Sequence, residues 1–322
     1  MNILVVGGAG YIGSHMVKLL GSERFEVSTL DNLSEGYEDA VLAGRFIKGD
    51  FGDAEFIDQL FSENKFDAVM HFASSIQVGE SVTNPAKYYK NNVTNTQTLL
   101  DCMVKHGVLS FIFSSTAAVF GEPAYSPIDE AHINLPINPY GRSKYMVEQI
   151  LEDYDHAYGL KSVCLRYFNA AGADPEGELG ERHLPETHLI PLILQAASGR
   201  RDAISIFGDD YDTPDGSCVR DYIHISDLAD AHLLALKGLL DGGSSAKYNL
   251  GNGDGFSVIE VIEAVRKVTG KDFAVKHEAR RDGDSARLIA DSSLAKSVLG
   301  WRPQYADLEV IIEHAWQWEQ KF

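Results

Sequence analysis

The chain begins with the stretch that decides its fold, Ile3-Leu4-Val5-Val6 followed by Gly7-Gly8-Ala9-Gly10-Tyr11-Ile12-Gly13. Four apolar residues before glycine predict a short buried strand, and apolar residues spaced by three and four over 12–20 predict an amphipathic helix. Glycines between a strand and a helix let the backbone approach a phosphate, and the helix N-terminus adds unpaired N–H groups. The spacing is G-x-x-G-x-x-G rather than the standard G-x-G-x-x-G. The stretch predicts a dinucleotide site.

Strand-like and helix-like segments alternate through the first half of the chain. Strands are predicted at 3–6, 26–30, 46–48, 68–72, 111–114 and 162–166, and helices at 12–20, 54–62, 85–106 and 139–158. Short apolar strands that alternate with helices indicate a parallel sheet covered on both faces, with right-handed crossovers. The predicted fold class is therefore α/β, a Rossmann-type doubly wound sheet.

The pattern loosens after residue 168. A loop is predicted over 169–187 and a polar turn over 209–217, with strands at 204–207 and 247–250 and helices at 189–198, 226–240, 257–269, 292–299 and 307–320. We therefore predict two parts. The first is a dinucleotide-binding domain over 1–168, and the second is a smaller α/β substrate lobe over 169–322, with some segments returning to the sheet.

Composition excludes several classes of partner. The 322 residues carry a net charge of −19, which disfavours nucleic acid and anionic membranes. The start of the chain has no basic segment before its short apolar run, and no apolar stretch is long enough to span a bilayer.

The cysteines Cys102, Cys164 and Cys218 lie far apart and predict buried reduced thiols in a cytoplasmic protein. No metal is expected.

Acidic residues at the ends of the second and third strands refine the dinucleotide site. Asp31 closes the second predicted strand, where a carboxylate can bind both hydroxyls of an adenosine ribose. Asn32 follows, and no arginine lies in the next few positions to accept a 2′-phosphate, so NAD is favoured over NADP. Asp50, after the third strand, is placed either to meet the adenine edge or to be a solvated loop acid.

A second motif indicates redox chemistry. Tyr140 and Lys144 are four residues apart at the start of a predicted helix and therefore share one face. Tyrosine is a weak base because its pKa is about 10. A neighbouring ammonium group and a cationic nicotinamide would favour the phenolate. Ser114-Ser115-Thr116 follows a predicted strand, so one hydroxyl can relay a proton to Tyr140.

Longer stretches of the chain resemble one family. They are Gly7 to His15, His71-Phe72-Ala73, Val78-Gly79-Glu80-Ser81-Val82, Tyr88-Tyr89-Lys90-Asn91-Asn92-Val93, Tyr167-Phe168-Asn169, Val219-Arg220-Asp221-Tyr222-Ile223-His224 and Arg280-Arg281-Asp282-Gly283-Asp284. Together they resemble the extended short-chain dehydrogenases, and most closely the UDP-glucose 4-epimerases. The resemblance implies a homodimer that retains NAD, acts on a UDP-sugar, and interconverts UDP-glucose and UDP-galactose through a 4-keto sugar.

The resemblance also implies site residues. The cofactor set is Gly7, Gly10, Tyr11, Ile12, Gly13, Asp31, Asn32, Asp50, Phe51, Phe72, Ala73, Asn91, Ser114, Tyr140, Lys144 and Phe168. The substrate set is Thr116, Asn169, His188, Leu189, Ser205, Phe207, Arg220, Tyr222, Arg281 and Asp284. Tyr140, Lys144 and Thr116 are the expected catalytic residues. The guanidinium groups of Arg220 and Arg281 suit a diphosphate.

Three positions depart from the usual family pattern or bear on specificity. Thr116 replaces a serine and keeps its hydroxyl, and Ile76 replaces a lysine near the cofactor. Leu288 occupies the position associated with sugar size, and its intermediate volume leaves UDP-N-acetylhexosamines and UDP-pentoses open as substrates. Ala117-Ala118 disfavours a dehydratase, which would carry Asp-Glu after the catalytic threonine. A non-catalytic NAD-binding sensor on the same fold is the remaining alternative.

Overall fold

The computed structural model describes residues 1–281 and 284–322, so Asp282 and Gly283 of the 280–284 motif lie outside the described residues. Its strands are, in chain order, β1 Asn2–Val6, β2 Glu26–Asp31, β3 Arg45–Lys48, β4 Ala68–His71, β5 Ser110–Ser114, β6 Lys161–Tyr167, β7 Asn169–Ala171, β8 Ala203–Phe207, β9 Val219–His224, β10 Ala246–Leu250, β11 Gly255–Ser257, β12 Ala274–Glu278 and β13 Arg287–Leu288. The largest sheet has the order β3-β2-β1-β4-β5-β6-β10, and all its neighbouring strands are parallel.

Helices cover this sheet on both faces. The α-helices of the described residues are, in chain order, α1 Tyr11–Ser22, α2 Ala54–Glu63, α3 Val78–Thr83, α4 Pro85–Tyr88, α5 Asn95–Lys105, α6 Pro139–Tyr158, α7 Leu189–Ala197, α8 Ile225–Leu240, α9 Val258–Thr269, α10 Ser293–Val298 and α11 Leu308–Glu319. Helices α1 and α8 pack on one face, and α2, α5 and α6 pack on the other. This arrangement confirms the predicted Rossmann-type α/β fold.

Strand β1 shows why the sequence folds in this way. Ile3 and Val5 point into the core under α1 and α8, whereas Leu4 and Val6 point into the core under α2 and α5. All four side chains are at most 1% exposed. A central parallel strand is buried on both faces, so its sequence is continuously apolar instead of alternating.

The predicted helix over 85–106 is interrupted. Helix α4 is followed by a π-helical segment, Tyr89–Thr94, which continues into α5. Helix α6 matches its predicted bounds. The side chain of Asn138 caps its N-terminus by accepting a hydrogen bond from Gly141 N, and Gly159, with a φ of 73°, ends it. Among the described residues, none of the helices combines the length and apolar content needed to cross a bilayer.

The second half contains strands that the sequence did not predict. Strand β9 pairs with β7, β11 and β13, although β7 lies in the predicted loop 169–187. Hydropathy misses β9 because it contains Arg220, Asp221 and His224. The buried carboxylate of Asp221 accepts hydrogen bonds from the backbone N–H groups of Asn252, Gly253 and Ala290, which compensate its burial.

Two segments of the second half belong to the large sheet. Strand β10 pairs in parallel with β6, and α8 packs over β5 and β6. A separate core lies between α7, α9 and α11. Cys102, Cys164 and Cys218 are buried and unbridged, as their spacing predicted.

A buried ion pair links α6 to β6. Arg166 donates from Nε to Glu148 Oε1 at 2.9 Å, and the two side chains are 1% and 0% exposed. Ser115 Oγ donates to the same carboxylate at 2.5 Å. Removing one member of such a pair leaves its partner as an uncompensated buried charge.

We therefore expect Glu148→Gln to reduce the free energy of unfolding by about 3–5 kcal/mol, measured by urea denaturation. The matched control is Glu152→Gln, one turn along α6, because Glu152 is 63% exposed and contacts Lys247 at the surface. The control should change stability by less than about 1 kcal/mol. Equal effects of the two changes would contradict this account of the pair.

Candidate active site

A cavity of about 640 Å³ opens at the carboxyl ends of the parallel strands. Its wall includes Gly7 after β1, Ala73 after β4, Ser114 at the end of β5 and Tyr167 at the end of β6. Residues from the second half, including Arg220, also line it. Ligands of open α/β sheets bind in this position because loops from several strands converge there.

The glycine loop has three structurally different glycines. Gly7 has a φ of +80°, and a Cβ there would lie 2.4 Å from Ala73 N. A Cβ on Gly13 would lie 2.2 Å from Gly7 O. Gly10 has an ordinary φ of −81°, and its Cβ would meet only Gly7 O, at 3.5 Å. Packing within the chain therefore requires glycine at 7 and 13, whereas glycine at 10 leaves room on the cavity wall.

The start of α1 provides hydrogen-bond donors beside that room. Gly10 is the N-cap residue, and no side chain caps the helix. Unpaired N–H groups and the positive end of the helix dipole favour an anion at this point. The geometry fits a diphosphate lying across Gly10.

Asp31 and Asn32 line the cavity at the end of β2, as predicted. The carboxylate of Asp31 accepts hydrogen bonds from Ala9 N at 3.0 Å and Leu33 N at 2.8 Å, while burial raises its pKa. Asp50 does not line the cavity. Its carboxylate instead accepts hydrogen bonds from Asn32 Nδ2 at 3.1 Å and Gly52 N at 2.8 Å, so it orients Asn32.

Tyr140 and Thr116 lie together on the cavity wall. Burial raises the pKa of Tyr140, and the neighbouring Thr116 hydroxyl opposes that rise. Thr116 Oγ1 also accepts a hydrogen bond from Ala118 N at 3.1 Å, which fixes its position at the end of β5. The two hydroxyl groups can therefore exchange a proton with a ligand or with each other.

Lys144 is buried one turn along α6. Its Nζ donates to Ser74 Oγ at 2.6 Å and to Ser114 O at 2.7 Å. Burial lowers its pKa to about 7. The sequence predicts that the ammonium group lowers the pKa of Tyr140, but burial has the largest effect on the pKa of both residues.

Arg220, Asn169, His188 and Asp284 also line the cavity. Arg220 Nη1 donates to Val219 O at 2.9 Å and to Ser285 O at 2.8 Å, and its Nη2 lies 3.6 Å from Asp284 Oδ1. Asn169 Nδ2 donates to Asp221 O at 2.9 Å. Backbone contacts therefore hold a guanidinium and an amide in place on the cavity wall.

Comparison with known proteins identifies the family. Residues 3–251 match the model of the NAD dependent epimerase/dehydratase family. The chain belongs to this family. It is 52% identical to a UDP-glucose 4-epimerase of Halalkalibacterium halodurans over 321 residues, which cover 100% of this chain and 96% of that protein. Identity to a UDP-glucose 4-epimerase of Streptococcus mutans is 52% over 325 residues, which cover 100% of this chain and 98% of the relative.

Solved structures show similar folds. UDP-glucose 4-epimerase from Brucella ovis in complex with NAD has a TM-score of 0.96 and 50% identity, covering 98% of this chain and 97% of that one. The Bifidobacterium longum UDP-glucose 4-epimerase in complex with NAD+ and UDP has a TM-score of 0.95 and 38% identity, covering 100% of this chain and 98% of that one.

Most of the predicted site residues of this epimerase/dehydratase family member line the cavity. They are Gly7, Gly10, Tyr11, Ile12, Gly13, Asp31, Asn32, Phe51, Phe72, Ala73, Asn91, Ser114, Thr116, Tyr140, Lys144, Phe168, Asn169, His188, Arg220 and Asp284. Ile76 and Leu288 also line it. Glycine spacing, strand ends and the resemblance were sufficient to locate this set.

Six predicted residues are not on the cavity wall. They are Asp50, Leu189, Ser205, Phe207, Tyr222 and Arg281. Arg281 stacks its guanidinium 4.6 Å above the Phe207 ring and donates to Asp284 Oδ2 at 2.9 Å. Tyr222 is buried on β9, and Ser205 lies on β8. Arg281 and Phe207 thus adjoin the cavity through Asp284.

Sequence reasoning missed several wall residues. Ser74, Tyr167, Glu181 and His183 line the cavity without having been predicted. Tyr167 OH and Ser114 Oγ form a hydrogen bond of 2.5 Å. The adjacent Phe168 and Asn169 were predicted, so the position of Tyr167 at the end of β6 was the available signal. Glu181 and His183 lie in a predicted loop, where periodicity carries no information.

The pKa of Lys144 predicts a pH dependence of stability. An unfolded lysine titrates near 10.4, so between pH 7 and 10 the unfolded chain binds a proton that Lys144 in the folded chain has largely released. Stability therefore rises with pH in this interval and falls again as pH decreases toward 7.

In nucleotide-free protein, the difference in free energy of unfolding between wild type and Lys144→Met should shift in favour of wild type from about pH 7 to about pH 10. Urea denaturation at each pH measures it. Lys271→Met, at an exposed position, controls for the loss of a lysine. A difference that is flat across this range for Lys144→Met would show that Lys144 is not held neutral.

Proposed function

We propose that this chain is an NAD-dependent epimerase that interconverts UDP-glucose and UDP-galactose through a 4-keto sugar. One observation supports this most directly. The Tyr140–Thr116 pair, the uncapped helix at Gly10 and the backbone-held Arg220 border a single cavity. Relatives about half identical over their full length carry the same activity in their names. A proton-transfer pair and two anion-binding groups on one cavity suit a nucleotide-sugar and a dinucleotide bound together.

The residues present fit NAD. The space at Gly10 and the free N–H groups of α1 suit its diphosphate. The acidic Asp31 suits a ribose with both hydroxyls free and repels a 2′-phosphate. The proposed contacts are Gly7, Gly10, Tyr11, Ile12, Gly13, Asp31, Asn32, Asp50, Phe51, Phe72, Ala73, Asn91, Ser114, Tyr140, Lys144 and Phe168. Asp50 is proposed to act by orienting Asn32.

Tyr140 and Thr116 are proposed to handle the proton of the sugar's 4-hydroxyl. Tyr140 as phenolate takes this proton, directly or through the Thr116 hydroxyl, and gives it back to the 4-keto oxygen. Bound by these residues, NAD would supply a reversible hydride acceptor for C4 and a positive charge beside Tyr140. Because burial raises the pKa of Tyr140 in the ligand-free chain, its ionisation depends on such a neighbouring charge.

Lys144 is proposed to position the reacting groups. Its hydrogen bonds to Ser74 Oγ and Ser114 O fix the ammonium group beneath the cavity, one turn from Tyr140. From there it can meet a ribose hydroxyl and, when protonated, stabilise the phenolate. The protein then contributes mainly orientation and electrostatics.

The UDP part is proposed to stay anchored while the sugar turns over. Arg220 offers a guanidinium to the diphosphate. The proposed substrate contacts are Thr116, Asn169, His188, Leu189, Ser205, Phe207, Arg220, Tyr222, Arg281 and Asp284. Arg281 would reach a diphosphate by leaving Asp284, since the two side chains are paired in the ligand-free chain.

The alternatives to this proposal are a different sugar, a different reaction and a protein without catalytic activity. Leu288 is on the cavity wall, so its volume bears on whether UDP-N-acetylhexosamines or UDP-pentoses fit. Ala117 and Ala118 also line the cavity and offer no acid or base for an elimination. A non-catalytic NAD-binding sensor would not need the paired hydroxyls of Tyr140 and Thr116.

The same proposal covers organisation and location. Residues 1–168 would hold NAD and residues 169–322 would hold the UDP-sugar, with β10 and α8 returning to the large sheet. The outer faces of the helices over 85–106 and 139–158 would pair in a homodimer. A cytoplasmic location agrees with three unbridged cysteines.

The test is epimerisation of UDP-galactose and of UDP-GalNAc by purified protein without added NAD. We expect wild type to convert UDP-galactose with retained NAD. Tyr140→Phe should lose at least about 1000-fold in turnover, because general-base catalysis contributes about 100- to 10000-fold. It should still bind NAD and UDP, measured by calorimetry.

Each other result has a distinct meaning. Conversion of UDP-GalNAc alone would identify the N-acetylhexosamine alternative. NAD binding with no conversion of any UDP-sugar would favour the sensor. Wild-type turnover by Tyr140→Phe would mean that another group serves as the base.

The glycine loop gives a second prediction. Gly10→Ala should change the free energy of unfolding by less than about 1 kcal/mol, because its Cβ meets only Gly7 O at 3.5 Å. The added methyl group occupies space proposed for the diphosphate, so NAD retention should fall at least about tenfold, measured by absorbance and calorimetry. In Gly13→Ala the Cβ meets Gly7 O at 2.2 Å, so this control should lose stability. Unchanged NAD affinity in Gly10→Ala would place the diphosphate elsewhere.

A further inference from the structure

Four potential metal ligands lie close together in the segment between β7 and α7. They are Glu181, His183, Glu186 and His188, and we call them the 181–188 cluster. One ligand atom from each lies within 4.8 Å of all the others. Glu181, His183 and His188 also line the cavity, so the cluster forms part of its wall. None of the steps proposed above uses Glu181, His183 or Glu186.

The distances within the cluster match the edges of a tetrahedron. Glu181 Oε1 lies 3.1 Å from His183 Nδ1 and 2.6 Å from His188 Nδ1. The carboxylate of Glu186 lies 3.7 Å from His183 Nδ1 and 3.3 Å from His188 Nδ1. Ligands about 2.0–2.1 Å from a tetrahedral zinc ion are separated by about 3.3–3.4 Å. With Glu186 Oε2 as the fourth ligand, the measured edges are 3.1 Å for Glu181–His183, 2.6 Å for Glu181–His188 and 3.7 Å for Glu186–His183, and they lie on both sides of that value.

The orientation of the atoms provides an independent observation. Glu181 Oε1, His183 Nδ1 and His188 Nδ1 are buried, and none has a hydrogen-bond partner within residues 1–281 and 284–322. Glu181 Oε1 lies within ion-pair distance of both imidazole nitrogens, so the three atoms face one another. The side chain of Glu181 is only 5% exposed. Buried polar atoms without partners are rare, and here three converge.

Neighbouring groups hold the ligands in this arrangement. Glu186 Oε1 accepts hydrogen bonds from Thr187 N at 2.7 Å and His188 N at 2.8 Å, so its Oε2 is directed toward His183. The His183 ring packs edge-on against Tyr11, with 6.4 Å between ring centres. His188 is the N-cap residue of α7, but its side chain caps nothing. Such supporting contacts are typical of metal ligands.

We propose that Glu181, His183, Glu186 and His188 bind one Zn²⁺ ion as a structural site. Two imidazoles and two carboxylates are ligands that zinc accepts, and four protein ligands make a closed site. Hard cations such as Mg²⁺ and Ca²⁺ prefer oxygen alone, which disfavours them here. One divalent cation neutralises the two buried carboxylates.

The ion would stabilise a long connection. Residues 172–188 link β7 to α7 and contain one isolated bridge, Ala173 to Gly180, in place of regular structure. A connection longer than about 12–15 residues is uncommon in a compact domain unless it has a function. Zinc would cross-link residues 181–188 and fix the part of the cavity wall that packs against Tyr11.

A metal-free cluster is the rival arrangement. Burial lowers the pKa of His183 and His188, but the carboxylates outweigh burial and raise it to about 9 and about 10. Two imidazolium–carboxylate pairs would then balance the charge without an ion. They would bind no Zn²⁺, so metal content separates the two arrangements.

The first measurement uses full-length wild-type protein carrying no polyhistidine tag. After expression in zinc-supplemented medium and desalting, mass spectrometry should detect about one Zn per chain. Chelation with dipicolinate should lower the melting temperature, and added ZnCl2 should restore it. Substoichiometric metal, together with no saturable binding of ZnCl2 by calorimetry, would overturn the proposal.

Variants then test the ligands. Glu181→Gln and His183→Gln should each weaken Zn²⁺ binding more than about 100-fold, the upper limit for changes in groups that only orient ligands. His277→Gln, at an exposed histidine on β12, should bind Zn²⁺ like wild type. Binding is measured by competition with a chromogenic chelator. If both cluster variants kept wild-type affinity, zinc would be bound elsewhere. Because the wild-type metal content is measured directly, poor folding of a variant leaves the test intact.

Discussion

The contact between one face of α6 and the end of β5 determines the geometry of the candidate active site. Three consecutive residues at that strand end each meet a different turn of the helix. The pairs are Thr116 with Tyr140, Ser114 O with Lys144 Nζ, and Ser115 Oγ with Glu148 Oε1. Residues four apart share a helix face, so one helix orientation satisfies all three pairs.

Because the contact is buried, α6 has little freedom to shift relative to β5. Lys144 is 2% exposed and Glu148 is 0% exposed, so a shift of α6 would leave charged groups without partners in the core. Arg166 on β6 completes the charge balance of Glu148. The proposed proton-transfer pair is thus positioned in part by Glu148 and Arg166, which have no role in the proposed reaction. The cavity gains a rigid wall from the same interactions that stabilise the sheet.

The part of the cavity wall that comes from residues 169–322 is stabilised by different contacts. Its residues come from short strands and from the long connection 172–188. Arg220 is held by backbone carbonyls, and Asp221 by backbone N–H groups from two other segments. In this part of the molecule, polar contacts have the positioning role that apolar packing has in the large sheet. A cation at the 181–188 cluster would extend the same principle, because ligands from a single loop would substitute for a hydrophobic core.

The sequence by itself determined the large sheet, its flanking helices and the half of the site that they carry. Apolar runs such as Ile3 to Val6 and glycines at fixed spacing reflect local constraints, which neighbouring residues encode. It also identified Tyr140 and Lys144, since four-residue spacing places both on one helix face. Only the tertiary structure decided that β9 is a strand, that Asp50 contacts Asn32 instead of the cavity, and that Glu181 meets His188. Those outcomes depend on partners distant along the chain or on the path of a loop. Neither leaves a periodic pattern in the sequence.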